Sequence, residues 1–251
     1  MLFVCLARTF VVAAALIGVL ATSAHAAPIV YDAGNGLSAS ADFNVAGSTL
    51  TILLTNTSTP SFGGQDGSSN MVLSSLSFDL PTGVTIIGGS VVLGTGSNVV
   101  RSTNTDAWAV QSGTFDLNTV YGFSNTGVGN TGGASLPNAT NAITSHSNGG
   151  NAVISFTGVT ALPGGLEWGI VPNGTKDIGN NAFYVQNSVL LTLALSAPLA
   201  DLSFLTAGSY VEFGSDYLYV PSTAVPEPTS LLLVGTGALA FAARARRRRR
   251  R

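Results

Sequence analysis

Residues 48–56 read "STLTILLTN". Leu50, Ile52 and Leu54 fall on one side of an extended chain, Thr49, Thr51 and Thr55 on the other. That period of two marks a strand with one apolar face. Outward from it the same alternation returns. "MVLSSLSFDLPTG" places Leu76, Phe78 and Leu80 in step and turns at Pro81-Thr82-Gly83. "VTIIGGSVVLG" reads as two strands about a Gly88-Gly89 turn. Residues 108–110, 153–156, 183–195 and 210–220 are further strand candidates, and the last is split at Gly214-Ser215. No helical periodicity of useful length occurs between residues 27 and 224, and no repeat of fixed period is found. Many short strands joined by turn residues predict an all-β domain: a β-sandwich, jelly-roll or Greek-key-like.

The composition agrees. Charged residues are 9% of the 251, glycine numbers 30, and Asn, Ser and Thr recur throughout. These are poor helix formers and good turn residues. Between residues 27 and 225 two basic side chains, Arg101 and Lys176, stand against eleven acidic ones, a net charge of −9. Such a surface repels phosphate backbones, which excludes nucleic acid as a partner. Residues 122–151, "GFSNTGVGNTGGASLPNATNAITSHSNGGN", hold few large apolar side chains and read as a long surface loop.

The two ends differ from this body. At the front, Arg8 precedes an apolar run over residues 10–20, and Ala24-His25-Ala26 precedes Ala27. A basic start, an apolar stretch and a small-residue site form a cleavable signal peptide, here residues 1–26, with Ala24, Ala26 and Ala27 at the signal peptidase cut. Eleven apolar residues make about 16 Å of helix, short of the ~30 Å hydrocarbon layer. Cys5, the single cysteine, lies in this leader. The mature chain therefore has neither disulfide nor thiol nucleophile, and its core alone must hold it.

At the back, Val225-Pro226-Glu227-Pro228 precedes an uncharged, mostly apolar run over residues 229–243. Arg244, Arg246, Arg247, Arg248, Arg249, Arg250 and Arg251 follow. Fifteen residues span about 22 Å as a helix, again short for a permanent anchor. The arginines hold that end in the cytoplasm. The prolines keep Glu227 on an extended stretch beside the membrane, the form a protease takes into its cleft. This order of motif, short helix and arginine cluster resembles the PEP-CTERM sorting domain, over residues 225–251. The resemblance implies a Gram-negative producer of exopolysaccharide. It also implies an exosortase that cuts near the motif after transient inner-membrane association. The body, residues 27–224, is then left at the cell surface or in the extracellular matrix. Residues 39–83 resemble, more loosely, a pattern common among exosortase-dependent surface proteins.

Chemistry in the body is sparse. His146 is the single histidine after residue 26, and no Gly-x-Ser-x-Gly elbow is present. One histidine without cysteine does not make a zinc cluster. Glu167 beside Trp168 suggests a sugar cleft, yet neighbours on a strand point to opposite faces. A core Trp and a surface Glu are therefore expected. No cofactor is expected; structural calcium is the one metal the oxygen-rich turns leave open, at Asp32 and Asn35 or at Asp66 and Asn70. Asn56, Asn138 and Asn173 begin N-x-S/T triplets that so Asn-, Ser- and Thr-rich a chain makes by chance. The expectation is a non-enzymatic structural or adhesive protein of the surface or biofilm matrix. The alternative is a carbohydrate-binding module drawing on Trp108, Trp168, Tyr184, Tyr217 and Tyr219. A secreted glycan hydrolase ranks third.

Overall fold

The computed structural model describes residues 24–59, 69–103, 108–126, 139–145, 153–158, 162, 166–173, 181–214 and 218–223. The apolar runs at residues 10–20 and 229–243, expected as flanking helices, lie outside these. Among the described residues no helix is long and apolar enough to cross a membrane. The fold is all-β, with three short 3-10 turns besides the strands among the described residues.

In chain order the strands are β1 (Ala24–His25), β2 (Ile29–Asp32), β3 (Ser38–Ala46), β4 (Thr49–Asn56), β5 (Leu73–Phe78), β6 (Ile86–Leu93), β7 (Asn98–Arg101) and β8 (Ala109–Val110). They continue as β9 (Gly122–Ser124), β10 (Asn141–Thr144), β11 (Ile154–Ser155), β12 (Ile170–Val171), β13 (Phe183–Gln186), β14 (Ser188–Leu195), β15 (Ser209–Phe213) and β16 (Leu218–Pro221). One sheet runs β1-β3-β4-β14-β6, with β2 beside β3. The other runs β11-β9-β10-β5-β12-β13-β7-β8, with β15 on β5 and β16 on β15. β12 and β13 pair in parallel; every other pair is antiparallel.

The opening stretch is β4, at the middle of the first sheet, and its register explains the alternation. Ile52 faces Phe43 on β3 and Leu191 on β14, and Leu191 faces Val91 on β6. This row of four is buried throughout. Each such side chain contributes about 1.5–3 kcal/mol on leaving water. Phe43 meets Phe78 of the second sheet edge-on, with ring centroids 5.9 Å apart. The two sheets thus share one core. A second, smaller cluster joins Val72, Val100, Val171, Ala182 and Tyr184, with Trp108 and Leu166 against it.

Three expectations are corrected. β6 runs unbroken through Gly88 and Gly89, because Gly89 is needed inside the strand. A Cβ there would come within 2.5 Å of the Thr192 carbonyl and 2.9 Å of the Phe156 ring. Residues 122–151 are not one loop, since β9 and β10 lie within them and pair with each other. Their small side chains suit buried strands, and Gly122 and Asn141 are both buried. The strand expected over residues 183–195 breaks at Asn187, whose φ of 85° turns the chain from the second sheet into the first. Asparagine is among the few residues other than glycine that adopt this conformation readily.

The serines of β5 are buried as well: Ser75 and Ser77, between the apolar positions of the alternation, and Ser74. The register slips between Glu212 and Phe213, which face Ser75 and Leu73 and leave Ser74 over as a bulge. The Ser74 hydroxyl lies 2.8 Å from the Gly214 carbonyl and accounts for its own burial. The bulge also lets Leu73 and Leu76, three apart, both join the core.

Candidate functional site

The export end is partly built into the sheet. Ala24 and His25 pair with Val45 and Asn44 of β3. The Ala26 amide donates to the Phe43 carbonyl (3.2 Å), and Ala26 is a buried member of the core. His25 Nε2 lies 3.1 Å from Asp42 Oδ1. Of the residues flanking the expected cut, Ala24 is half-buried, Ala26 buried and Ala27 exposed.

The other end is held at a seam. The Ser222 amide donates to the Ser209 carbonyl on β15 (2.8 Å), and Ser222 bridges to Tyr31 on β2. The Thr223 amide and hydroxyl both donate to the Val30 carbonyl, each at 3.0 Å. Tyr31 is fully buried, with its hydroxyl 2.7 Å from Ser209 Oγ. Burial pushes its pKa well above the ordinary tyrosine value. Both sheets therefore meet at the last two described residues. Val225, Pro226, Glu227 and Pro228, and all seven terminal arginines, lie outside the described residues.

A third place gathers aromatic rings. Trp168 stacks on Phe183, with centroids 5.3 Å apart and planes 10° apart. Phe115 tilts against both at 6.0 and 6.4 Å. The guanidinium of Arg101, opposite Phe183 across β7 and β13, sits 5.6 Å from its ring centre. The three rings are half-buried and Arg101 is exposed. Residues 166–168 form a turn, so the strand rule applied to Glu167 and Trp168 does not operate here. Trp168 has a φ of 67°, unusual for so bulky a residue. Its amide donates to the Phe183 carbonyl, and its carbonyl accepts from the Tyr121 hydroxyl at 2.7 Å. Burial raises the Tyr121 pKa far above its usual range. Glu167 is exposed as expected; Trp168 is not a core residue but packs on the core's margin. The ring contacts of Phe115 and Phe183, far apart in sequence, carried no local signal.

The remaining candidates disperse. Trp108 and Tyr184 belong to the second cluster, with centroids 5.5 Å apart. Tyr219 is half-buried and faces Glu212 across the β15–β16 pair. Glu212 is fully buried and accepts from the Ser75 hydroxyl at 2.7 Å. Asp32 and Asn35 accept from the amides of Gly34 and Leu37, and Asp116 from that of Asn118. Asp79 holds Thr140, and Asp201, its pKa lowered by bonds from Ser203, accepts from the Ser203 amide at 2.8 Å. Among the described residues no three His, Cys, Asp or Glu side chains converge as a metal site. His146, Asp66, Asn138 and Tyr217 lie outside the described residues. Asn56 is buried with its amide donated inward, which closes that N-x-S/T triplet to modification in the folded chain.

Residues 224–249 match the family model of the PEP-CTERM protein-sorting motif, the C-terminal sorting signal of exosortase substrates. The match begins at the residue after Thr223. The motif marks an exported, exosortase-sorted surface protein. No characterised protein and no solved structure matches the chain.

Proposed function

We propose that this chain is exported with a leader cut before Ala27, held briefly in the inner membrane by residues 229–243, and trimmed by exosortase near Glu227. Its body, a sandwich of two sheets, then serves a non-catalytic structural or adhesive role at the cell surface or in the exopolysaccharide matrix. The observation that carries this is the sorting motif at residues 224–249, directly after a body pinned at Thr223. The carboxylates engaged in turn capping support a scaffold over a catalyst. Intact-mass spectrometry of the protein from its producing strain tests the reading. The expected species starts at Ala27 and lacks the arginines. Deleting residues 226–228 should leave the untrimmed form in the membrane fraction, and an unchanged mass and fractionation would defeat the proposal.

A second reading, a polysaccharide-binding body, is favoured by the aromatic group at Trp168. Strained backbone persists where the surroundings over-determine it, often at ligand sites. Rings at a surface offer apolar faces to sugar C–H groups, and Arg101 adds a cation beside them. Affinity electrophoresis in gels containing the strain's own polymer tests this. Trp168→Ala should abolish retardation of a body that still folds, and a mobility equal to wild type would remove the reading.

A further inference from the structure

Residues 27–225 carry eleven carboxylates and two basic side chains, Arg101 and Lys176. In so acidic a body a cation has carboxylates to spare, yet the one ion pair among the described residues joins His25 to Asp42. Arg101 is held by neutral groups instead. Its Nε donates to the Asn181 carbonyl at 3.4 Å, and its guanidinium sits over the Phe183 ring. Among the described residues its two terminal nitrogens have no partner. One edge of the guanidinium is tied, one face lies on a ring, and the side chain is exposed. The donors that remain are unspent.

The register sets this group at the end of the sandwich. Arg101 and Phe183 lie directly opposite each other, and Val99, Val185 and Ile170, two residues further along the same face, are buried. Trp168 stacks on the ring that carries the guanidinium. The backbone bends to hold both partners of that ring: Trp168 and Asn181, at φ of 67° and 60°, are two of the three non-glycine residues with positive φ among those described. Arginine is the side chain that grips a carboxylate through two parallel N–H···O bonds, and it packs on aromatic faces without losing that fork. Half-buried rings beside an unspent fork match a sugar that bears a carboxylate. Its C–H groups meet the rings and its oxygens meet the guanidinium.

We propose that Arg101, Phe183 and Trp168 form a subsite for a uronic acid residue set in a mostly neutral polysaccharide. The inference rests on the polysaccharide-binding reading above and names the class of sugar. The charge of the body decides how sparse the carboxylates must be. A surface at −9 repels a polymer as dense in charge as DNA, with one charge per ~1.7 Å of axis. An isolated uronate meets a different field, because charges more than about 8 Å away are largely screened at physiological salt. Of the carboxylates next in sequence to the rings, Asp116 is engaged by Asn118 and Glu167 is exposed on the adjoining turn. The nearest cation is Arg101, and one ligand carboxylate satisfies it.

The test is affinity electrophoresis of the protein purified from its producing strain, in gels holding the strain's own polymer. One gel takes the polymer as isolated, the other the same polymer with its carboxyl groups reduced to alcohols. Wild type should bind the native polymer about tenfold more tightly than the reduced one, the worth of a charge-assisted hydrogen bond. That comparison uses no variant, so it stands whatever a substitution does to folding. Arg101→Gln should bind the native polymer as weakly as wild type binds the reduced one, and reduction should then change nothing. Trp168→Ala should lose both. Equal binding of the two polymers by wild type, as a polymer without carboxyl groups would also give, overturns the uronate subsite, while loss of binding in Trp168→Ala keeps the polysaccharide reading. A folded Arg101→Gln that still prefers the native polymer tenfold overturns the subsite too. If neither polymer retards wild type, the polysaccharide reading fails and the subsite with it.

Discussion

Asn56 shows how much one side chain carries here. It ends β4, is 3% exposed, and donates both amide hydrogens to the carbonyls of Met71 and Ile170, each at 2.7 Å. Its oxygen accepts from the Ser58 amide at 3.1 Å. Three buried backbone groups from three segments depend on it, and each becomes costly if left unpaired. Asn56→Ala should destabilise the body by about 2–4 kcal/mol. Asn56→Asp should do worse, since it sets a carboxylate oxygen against a carbonyl where a donor stood. Urea unfolding monitored by tryptophan fluorescence checks both; an Asp variant as stable as wild type would show that the carbonyls find other donors. The sequence showed Asn56 only as the first residue of a common triplet. Its role depends on residues 15 and 114 positions away, a spacing that local patterns do not report.

Among elements, β4 was legible down to its faces, β5 only as a strand, and the short buried strands β9 and β10 not at all. β4 and β3 alternate because the far side of their sheet meets water. β5, "LSSLSF", is buried at every position, so its serines carry no surface signal, and its bulge hides the period. β9 and β10 are short and built of small residues, which reads as loop. The edge strand β6 illustrates a device equally silent in sequence. Ile87 is 63% exposed and Val92 53%, on a strand eight residues long. Such edges invite pairing between chains. Here asparagine side chains stand in for a neighbouring strand. Asn118 accepts from the Val91 amide at 2.8 Å, and Asn125 pairs with both the amide and the carbonyl of Ile86 at 2.9 Å. The double substitution Asn118→Ala with Asn125→Ala should leave circular dichroism intact while producing concentration-dependent association in light scattering. Adding Val92→Lys should reverse it. A double variant that stays monomeric would show the edge to be guarded otherwise.

For the molecule as a whole, folding and export compete for the same residues. Composition, charge and the two terminal patterns announced an exported β-rich body, because those signals are local and linear. They did not announce that residues 24–26, read as the end of a leader, pair with β3. Ala26 is 3% exposed within the core, and its amide is bonded to Phe43. A peptidase that must take Ala24 and Ala26 into its cleft cannot do so while β1 lies on β3. On the proposed cut before Ala27, cleavage would have to precede closure of that edge. The proposed cut would remove the β1–β3 pairing, the Ala26–Phe43 hydrogen bond, the buried Ala26 methyl and the His25–Asp42 contact, all on one side of β3. Full-length chain refolded in detergent should resist signal peptidase, whereas the same chain diluted from urea directly into the enzyme should be cut. Equal cleavage of both would mean that β1 opens freely on the enzyme's timescale. Protection of the refolded chain alone would show that β3 holds residues 24–26 once the sheet has formed, and that the proposed cut has to come first.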